Sequence, residues 1–186
     1  MDNVGLKNLI KSDLERMTPY SKLNLIKYLL FNASFKITFW FRIGGYIKKQ
    51  RLLKLLYPFI FLIHRKNQFK TGIQLPIETN IGKGLTFVHY SSTVINFAAM
   101  IGDNCTIFNG VTIGSVRGKG VPTIGNNVVI ATGAKVLGDI IIGNNVMIGA
   151  NAVVVNDIPD NAVVGGIPAK ILNMKGLEHT QFYAIN

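Results

Sequence analysis

Cysteine, tryptophan and acid are all scarce in this chain of 186 residues, which has one Cys, one Trp and nine Asp or Glu. A single thiol, Cys105, cannot close an intramolecular disulfide and leaves no CxxC pair for redox or metal chemistry. Nothing in the sequence therefore demands an oxidising compartment. Against 20 Lys and Arg the few acids leave a formal net charge of +11. Acid is missing altogether between Arg16 and Lys70, a stretch with 12 bases, whereas from Thr71 onward six bases meet six acids. A basic, aromatic segment of this kind suits nucleic acid, an anionic membrane surface or an acidic partner. No nucleic-acid module accompanies it, so nucleic acid is not expected. Long hydrophobic runs are missing too. The most apolar piece, LLKLLYPFIFLI from Leu52 to Ile63, carries Lys54, and its uninterrupted part is far short of the ~20 residues that span a bilayer. Burial against the rest of the protein is the first expectation for it, with a helix lying on a membrane surface as the alternative. The opening MDNVGLKNLIKSDLERM has acids at Asp2 and Asp13 and no apolar core, so no secretory leader is expected. The expected location is cytoplasmic, with a peripheral place at the inner face of the membrane as a further option.

What is present divides into two grammars. Apolar residues make up 48% of the chain and charged ones 16%, enough to bury a core. Residues 1–70 read as a helical segment of roughly three short helices. Asp13 and Ser21 are candidate caps, Leu23, Ile26, Leu29 and Leu30 recur at helical spacing, Gly44-Gly45 reads as a break, and Pro58 kinks or starts a helix. Residues 71–173 read as a solenoid and 174–186 as a tail. From Leu75 a period of six takes over, through Ile81, Phe87, Ile95, Ile101, Ile107, Ile113, Ile124, Ile130, Val136, Ile142, Ile148 and Val154. All 13 are apolar, and the register slips only twice, before Ile95 and before Ile124.

Hexapeptide periodicity is a signature of a parallel β-helix, each repeat one short strand and its turn. The fold class is therefore a β solenoid, a left-handed parallel β-helix with an N-terminal α-helical segment. The first residue of each hexad points inward, and small or β-branched residues four places later, among them Ala99, Cys105, Val111, Val128, Ala134, Val146 and Ala152, suit a narrow interior. Gly and Asn occupy corners whose backbone a β-carbon penalises. Roughly four to five coils are expected. The helices should cover one end and the chain after Pro159 the other. A β-sandwich, with turns every 8–12 residues, does not give a strict six.

Function must come from departures from the repeat. His89, in FVHYSS, is the only histidine inside it; His64 and His179 lie outside. One His and one Cys exclude a three-His zinc site in a single chain, and no Thr-x-Thr ladder suggests ice binding. The segment Ser115–Thr123, SVRGKGVPT, interrupts the hexads. Its Arg117, Lys119 and glycines suggest a flexible loop for an anionic ligand. The ending VVGGIPAKIL closes the repeat with a turn.

The stretch from about Phe39 to Ile171 resembles the serine acetyltransferase branch of the hexapeptide-repeat acyltransferases. The matching pieces, in preserved order, are FRIGGYI, IGKGLTFVHYSSTVIN, IGDNCTIFNGVTIG, IATGAKVLGDIIIGNNVMIGANAVV and VVGGIPAKIL. The resemblance implies a homotrimer that binds acetyl-CoA between neighbouring solenoids and transfers acetyl directly to a hydroxyl, with no metal. His89 is then the general base, since a near-neutral imidazole can take the hydroxyl proton and return it to the leaving thiolate. The N–H of Gly114 is the candidate oxyanion donor. Pantetheine would lie along Ala131, Thr132, Gly149 and Ala150, with Lys135 and Lys170 toward the phosphates.

Two positions depart from the branch. Val88 stands where serine acetyltransferases have an Asp before the catalytic His, and Val121 stands where they have a His before Pro122. A backbone carbonyl or Asn96 is expected to orient His89 instead. Without the family's polar groups the expected acceptor is a sugar hydroxyl in surface polysaccharide synthesis, with serine as the alternative acceptor and a non-enzymatic scaffold as the second alternative.

Overall fold

A computed structural model describes residues 5–18 and 20–183. The first four residues of the leader reading and the last three of the tail lie outside them. The N-terminal segment holds four α-helices rather than three: α1 (Leu6–Glu15), α2 (Lys22–Phe31), α3 (Ala33–Lys49) and, after a 3-10 turn at Lys54–Leu56, α4 (Tyr57–Thr71). Ser21 caps α2, its hydroxyl accepting the Asn24 N–H at 3.1 Å, and Asn32 does the same for α3 through Phe35 N–H at 2.8 Å. Pro58 sits in the first turn of α4, where its missing N–H costs nothing.

Two expectations for this segment fail, each for a packing reason. Asp13 is not a cap. It lies inside α1, buried, and its carboxylate takes Arg42 Nε at 2.8 Å and Nη2 at 3.1 Å together with the Leu85 N–H at 2.9 Å. Arg42 in turn donates to the carbonyls of Ile81 and Gly82 at 2.8 and 2.6 Å. The pair thus clasps α1 and α3 onto the first turn of the solenoid. Nor does Gly44-Gly45 break a helix, for α3 runs straight through it. Gly44 is there because Ile77 packs onto it, and a β-carbon would stand 2.7 Å from the Ile77 Cδ1.

The solenoid climbs in five coils. The first is β1 (Ile73–Gln74), β2 (Asn80–Ile81) and β3 (Thr86–Val88); the second is β4 (Thr93–Ile95), β5 (Met100–Ile101) and β6 (Thr106–Phe108). The third is β7 (Thr112–Gly114), β8 (Thr123–Ile124) and β9 (Val129–Ile130); the fourth is β10 (Lys135–Leu137), β11 (Ile141–Ile142) and β12 (Met147–Ile148). The fifth has β13 (Val153–Val154), a bridge from Ile158 to Ile142, and β14 (Val163–Gly165). Stacked coils make three parallel faces: β1-β4-β7-β10-β13, β2-β5-β8-β11 and β3-β6-β9-β12-β14. A last strand, β15 (Lys170–Asn173), returns antiparallel beside β14.

Every first-position residue of the hexads is buried, and so are the seven small residues four places on. The interior is thus columns of like side chains, each adding about 1.5–3 kcal/mol when a large aliphatic is fully buried. The corner asparagines have their own logic. Asn104, Asn127, Asn145 and Asn161 all adopt positive φ, and the Nδ2 of each of the first three donates at 3.0 Å to the Oδ1 of the next. Asn tolerates that left-handed turn and its amide forms a ladder from coil to coil.

The chain after Pro159 covers the far end: β15 lies beyond β14, and the 166–169 turn lies on β13, the Val153 N–H donating to the Gly166 carbonyl at 3.0 Å and the Ala169 N–H to the Val153 carbonyl at 2.8 Å. Helix α5 (Gly176–Gln181) starts against Asn161, where the Gly176 N–H donates to its carbonyl at 2.8 Å, and runs back down the flank of the third face. It ends with Tyr183 against Phe108, three coils lower.

Candidate active site

Register decides which residues meet at the surface. On the third face Val88 stands opposite Phe108, Ile107 opposite Ile130, and Ile148 opposite both Ile130 and Val164. Carried one step along each strand, the pairing puts Val88, Phe108, Ala131, Gly149 and Gly165 in one row. The next row, at the corner toward the first face, is His89, Asn109, Thr132, Ala150 and Gly166. Hydrogen bonds hold the register past the strand ends: Ala131 N–H to Ile148 O at 2.9 Å, Gly149 N–H to Val164 O at 2.8 Å, and Thr132 Oγ1 to Asn109 Oδ1 at 3.1 Å. Coils are ~4.8 Å apart, so Ala150 lies about 14 Å up the solenoid from His89. The structure thus collects His89, Ala131, Thr132, Gly149 and Ala150 into a single stripe along one edge, small from the third coil upward, with Phe108 and Asn109 between it and the imidazole.

His89 itself follows β3 with φ of 51° and is exposed. Its ring contacts Phe108, centroids 6.4 Å apart, and Phe108 meets Tyr183 edge-on at 5.6 Å. Among the described residues the imidazole has no hydrogen-bond partner. Asn96 does not orient it. That side chain closes its own turn, Oδ1 accepting the Ala98 N–H at 3.0 Å, and it lies beyond β4, across the width of the first face. Three residues of strand put it about 10 Å from the corner. Gly114 sits directly above Asn96, opposite Leu137, and its carbonyl takes the Gly138 N–H at 2.9 Å. One chain therefore does not bring Gly114 to His89.

The two lysines divide. Lys135 is tied down, its ammonium donating to Gly110 O at 2.6 Å and Thr112 Oγ1 at 3.1 Å in the coil below. Lys170 is exposed at the start of β15, beside the Gly165-Gly166 turn that tops the stripe. The interrupting loop is a tight hairpin rather than a slack one. Val116 bridges Lys119, positive φ at Arg117, Gly118 and Gly120 makes the turn, and the Gly120 backbone presses on Asp139 so closely that a β-carbon would collide with it. Arg117 and Lys119 are exposed at its tip. Among the described residues no group of His, Cys, Asp and Glu is placed to hold a metal.

Residues 122–156 match the family described as bacterial transferase hexapeptide (six repeats). A serine acetyltransferase of Synechococcus elongatus is 36% identical over 167 residues, 85% of this chain and 66% of the relative. Another, from Staphylococcus xylosus, is 46% identical over 126 residues, 66% of this chain and 58% of the relative. The chain belongs to the hexapeptide-repeat acyltransferases, on their serine acetyltransferase-like branch. Among solved structures, soybean serine acetyltransferase complexed with serine superposes with a TM-score of 0.77 at 27% identity, covering 90% of this chain and 69% of that one. A serine acetyltransferase in complex with CoA gives 0.75 at 25% identity, covering 91% and 71%. The chain spans 66%, 58% and 55% of the length of the first curated relatives it matches.

Three residues around the site escape a reading of the sequence: Phe108 and Asn109 beside His89, and Tyr183, which packs on Phe108. The first two follow from register, since the coil containing FVHYSS is two residues longer than three hexads and places residue 108, not 106, above Val88. Tyr183 carries no such signal, because only the path of α5 brings it there.

Proposed function

We propose that this chain transfers an acetyl group from acetyl-CoA to a hydroxyl, with L-serine as the acceptor favoured by its relatives. The observation that carries the reading is the stripe of small residues rising from an exposed histidine. Ala131, Gly149 and Ala150 leave an extended thioester arm room to lie against backbone, and Thr132 and Lys170 offer polar ends. His89, at the foot of the stripe, takes the proton of the acceptor hydroxyl as its oxygen attacks the thioester carbonyl. The imidazolium then returns that proton to the sulfur as the carbon–sulfur bond breaks. Exposure leaves His89 free to meet substrate, and Phe108 limits the swing of its ring.

A homotrimer completes this reading. Gly114 and Asn96 stand at the other edge of the first face, so an oxyanion donor for His89 from that edge has to come from a neighbouring copy. The mass of the chain in solution tests this directly.

The expectation of a polysaccharide acceptor finds no support in relatives named for serine, and serine takes its place. A sugar hydroxyl stays as the second reading on one observation: Val88 and Val121 put apolar groups at positions where serine's charged ends would be met. Thiol release from acetyl-CoA, measured with L-serine and then with a panel of sugars, separates the two. Serine-dependent release is expected, falling ~10²–10⁴-fold in His89→Ala. Release that ignores serine and follows a sugar would replace the acceptor and keep the base. Activity unchanged in His89→Ala would overturn the mechanism.

A further inference from the structure

The outer face of α4 has no partner among the described residues. Its inner face, Ile60 and His64, is buried against α3 and the first coil, the His64 Nε2 meeting the Leu75 carbonyl at 2.7 Å. On the opposite side Leu55, Phe59, Leu62, Lys66 and Phe69 recur three and four residues apart, which aligns them along one stripe. They are bare: Leu55 is 93% exposed, Phe69 74%, and Leu52 in the preceding turn 93%. Between Arg51 and Lys70 there are five cations and no acid. Leu62, Arg65, Lys66, Phe69 and Lys70 line a shallow, mainly apolar groove of about 490 Å³. The Arg65 guanidinium lies over the Phe69 ring at 5.2 Å, so even the charges stay beside the apolar stripe.

An exposed apolar patch rimmed by polar groups marks an interaction surface. Charge then chooses the partner. A second copy of this chain would present the same cations and repel, whereas a bilayer of anionic lipid offers negative headgroups above an apolar interior. A helix with bulky aliphatic and aromatic residues on one side, cations along the margins and no acid is the kind that lies in the headgroup plane. Depth is limited, because none of the described helices is long and apolar enough to cross. We propose that the 3-10 turn at Lys54–Leu56 and α4 form a docking surface for anionic membrane, with Leu52, Leu55, Phe59, Leu62 and Phe69 entering the interface and Lys54, Arg65, Lys66 and Lys70 meeting the headgroups. The solenoid then hangs from the bilayer by its N-terminal end.

Co-sedimentation of the full chain with phosphatidylcholine vesicles, with and without about one third phosphatidylglycerol, tests the proposal. Binding is expected to the anionic vesicles alone and to weaken with salt, since the screening length falls from ~10 Å at 0.1 M to ~3 Å at 1 M. The triple variant Arg65→Gln/Lys66→Gln/Lys70→Gln should bind roughly 100-fold more weakly, at about fivefold per cation near a charged surface. Leu55→Ser/Phe59→Ser/Leu62→Ser should fail to bind while keeping most of its thermal stability, because these side chains are mainly exposed. Equal binding to neutral and anionic vesicles, or no binding to either, overturns the proposal. So does a drop in solution mass by light scattering in the serine variant with vesicles unbound, which would make the face a contact between copies.

Discussion

Replacing Arg42 by Met tests how the helices are fastened to the solenoid. The guanidinium makes four hydrogen bonds, two to Asp13 and one each to the Ile81 and Gly82 carbonyls, all at 2.6–3.1 Å. Both partners of the ion pair are buried, Asp13 to 1% exposure. Burial pushes the Asp13 carboxyl up, while the Arg42 charge and the Leu85 N–H pull against it. Removing the cation leaves a buried carboxyl group with only the backbone N–H groups of Leu85 and Gly84 for company. Breaking one side of a buried pair costs about 3–5 kcal/mol, and an orphaned carbonyl about 1–3. A net loss of roughly 4–8 kcal/mol is the expectation after relaxation lets water reach one carbonyl. For a chain of this size that lowers the melting midpoint by roughly 10–30 °C. The double variant Asp13→Leu/Arg42→Met removes both charges and should recover part of the loss, but not all, because the Leu85 N–H and the two carbonyls stay unpaired. Urea titration of the three proteins measures the differences. A loss under 1 kcal/mol for Arg42→Met, or a double variant less stable than the single one, would refute the reasoning.

Other outcomes follow from the same geometry. Burial holds the His64 imidazole below its usual pKa, and among the described residues its Nδ1 has no partner to accept a second proton's bond. The unfolded chain therefore takes up a proton that the folded one refuses: this stabilisation is whole above about pH 6.5 and is lost as pH falls toward the folded-state pKa. Melting midpoints between pH 7.5 and 5.5 should fall, and the slope should flatten in His64→Gln. Ala150→Phe, at an exposed position on the stripe, should leave the melt within ~0.5 kcal/mol and raise KM for acetyl-CoA roughly tenfold or more, a loss of about 1.4 kcal/mol in binding. Burial pushes the Cys105 thiol up to about 12, so a thiol reagent at pH 8 should find none in the native protein and one in denaturant. Thiol release from CoA can then be followed with no background from the protein.

The sequence by itself determined the solenoid. A hexad repeat with one inward aliphatic per strand leaves a chain few other ways to bury its apolar groups, and all 13 of those positions are buried. It also singled out His89 as a departure from the repeat, whereas the small residues of the stripe came with the family resemblance. Only the tertiary structure decided what surrounds them. Asn96 and Gly114 are adjacent to His89 in neither coil nor corner, because the width of a face separates them, and local spacing says nothing of which corner a turn occupies once a hexad has slipped. Asp13 reads as a cap from its residue type and its place in α1, yet an arginine 29 residues away claims it. Gly44 reads as a break until Ile77 is seen to need its missing side chain. Tyr183 comes to the site by the path of a helix along the flank. Periodic burial is a local property repeated and can be read from the chain; a pairing between distant residues depends on where the coils stop and the helices dock, and no residue states that alone.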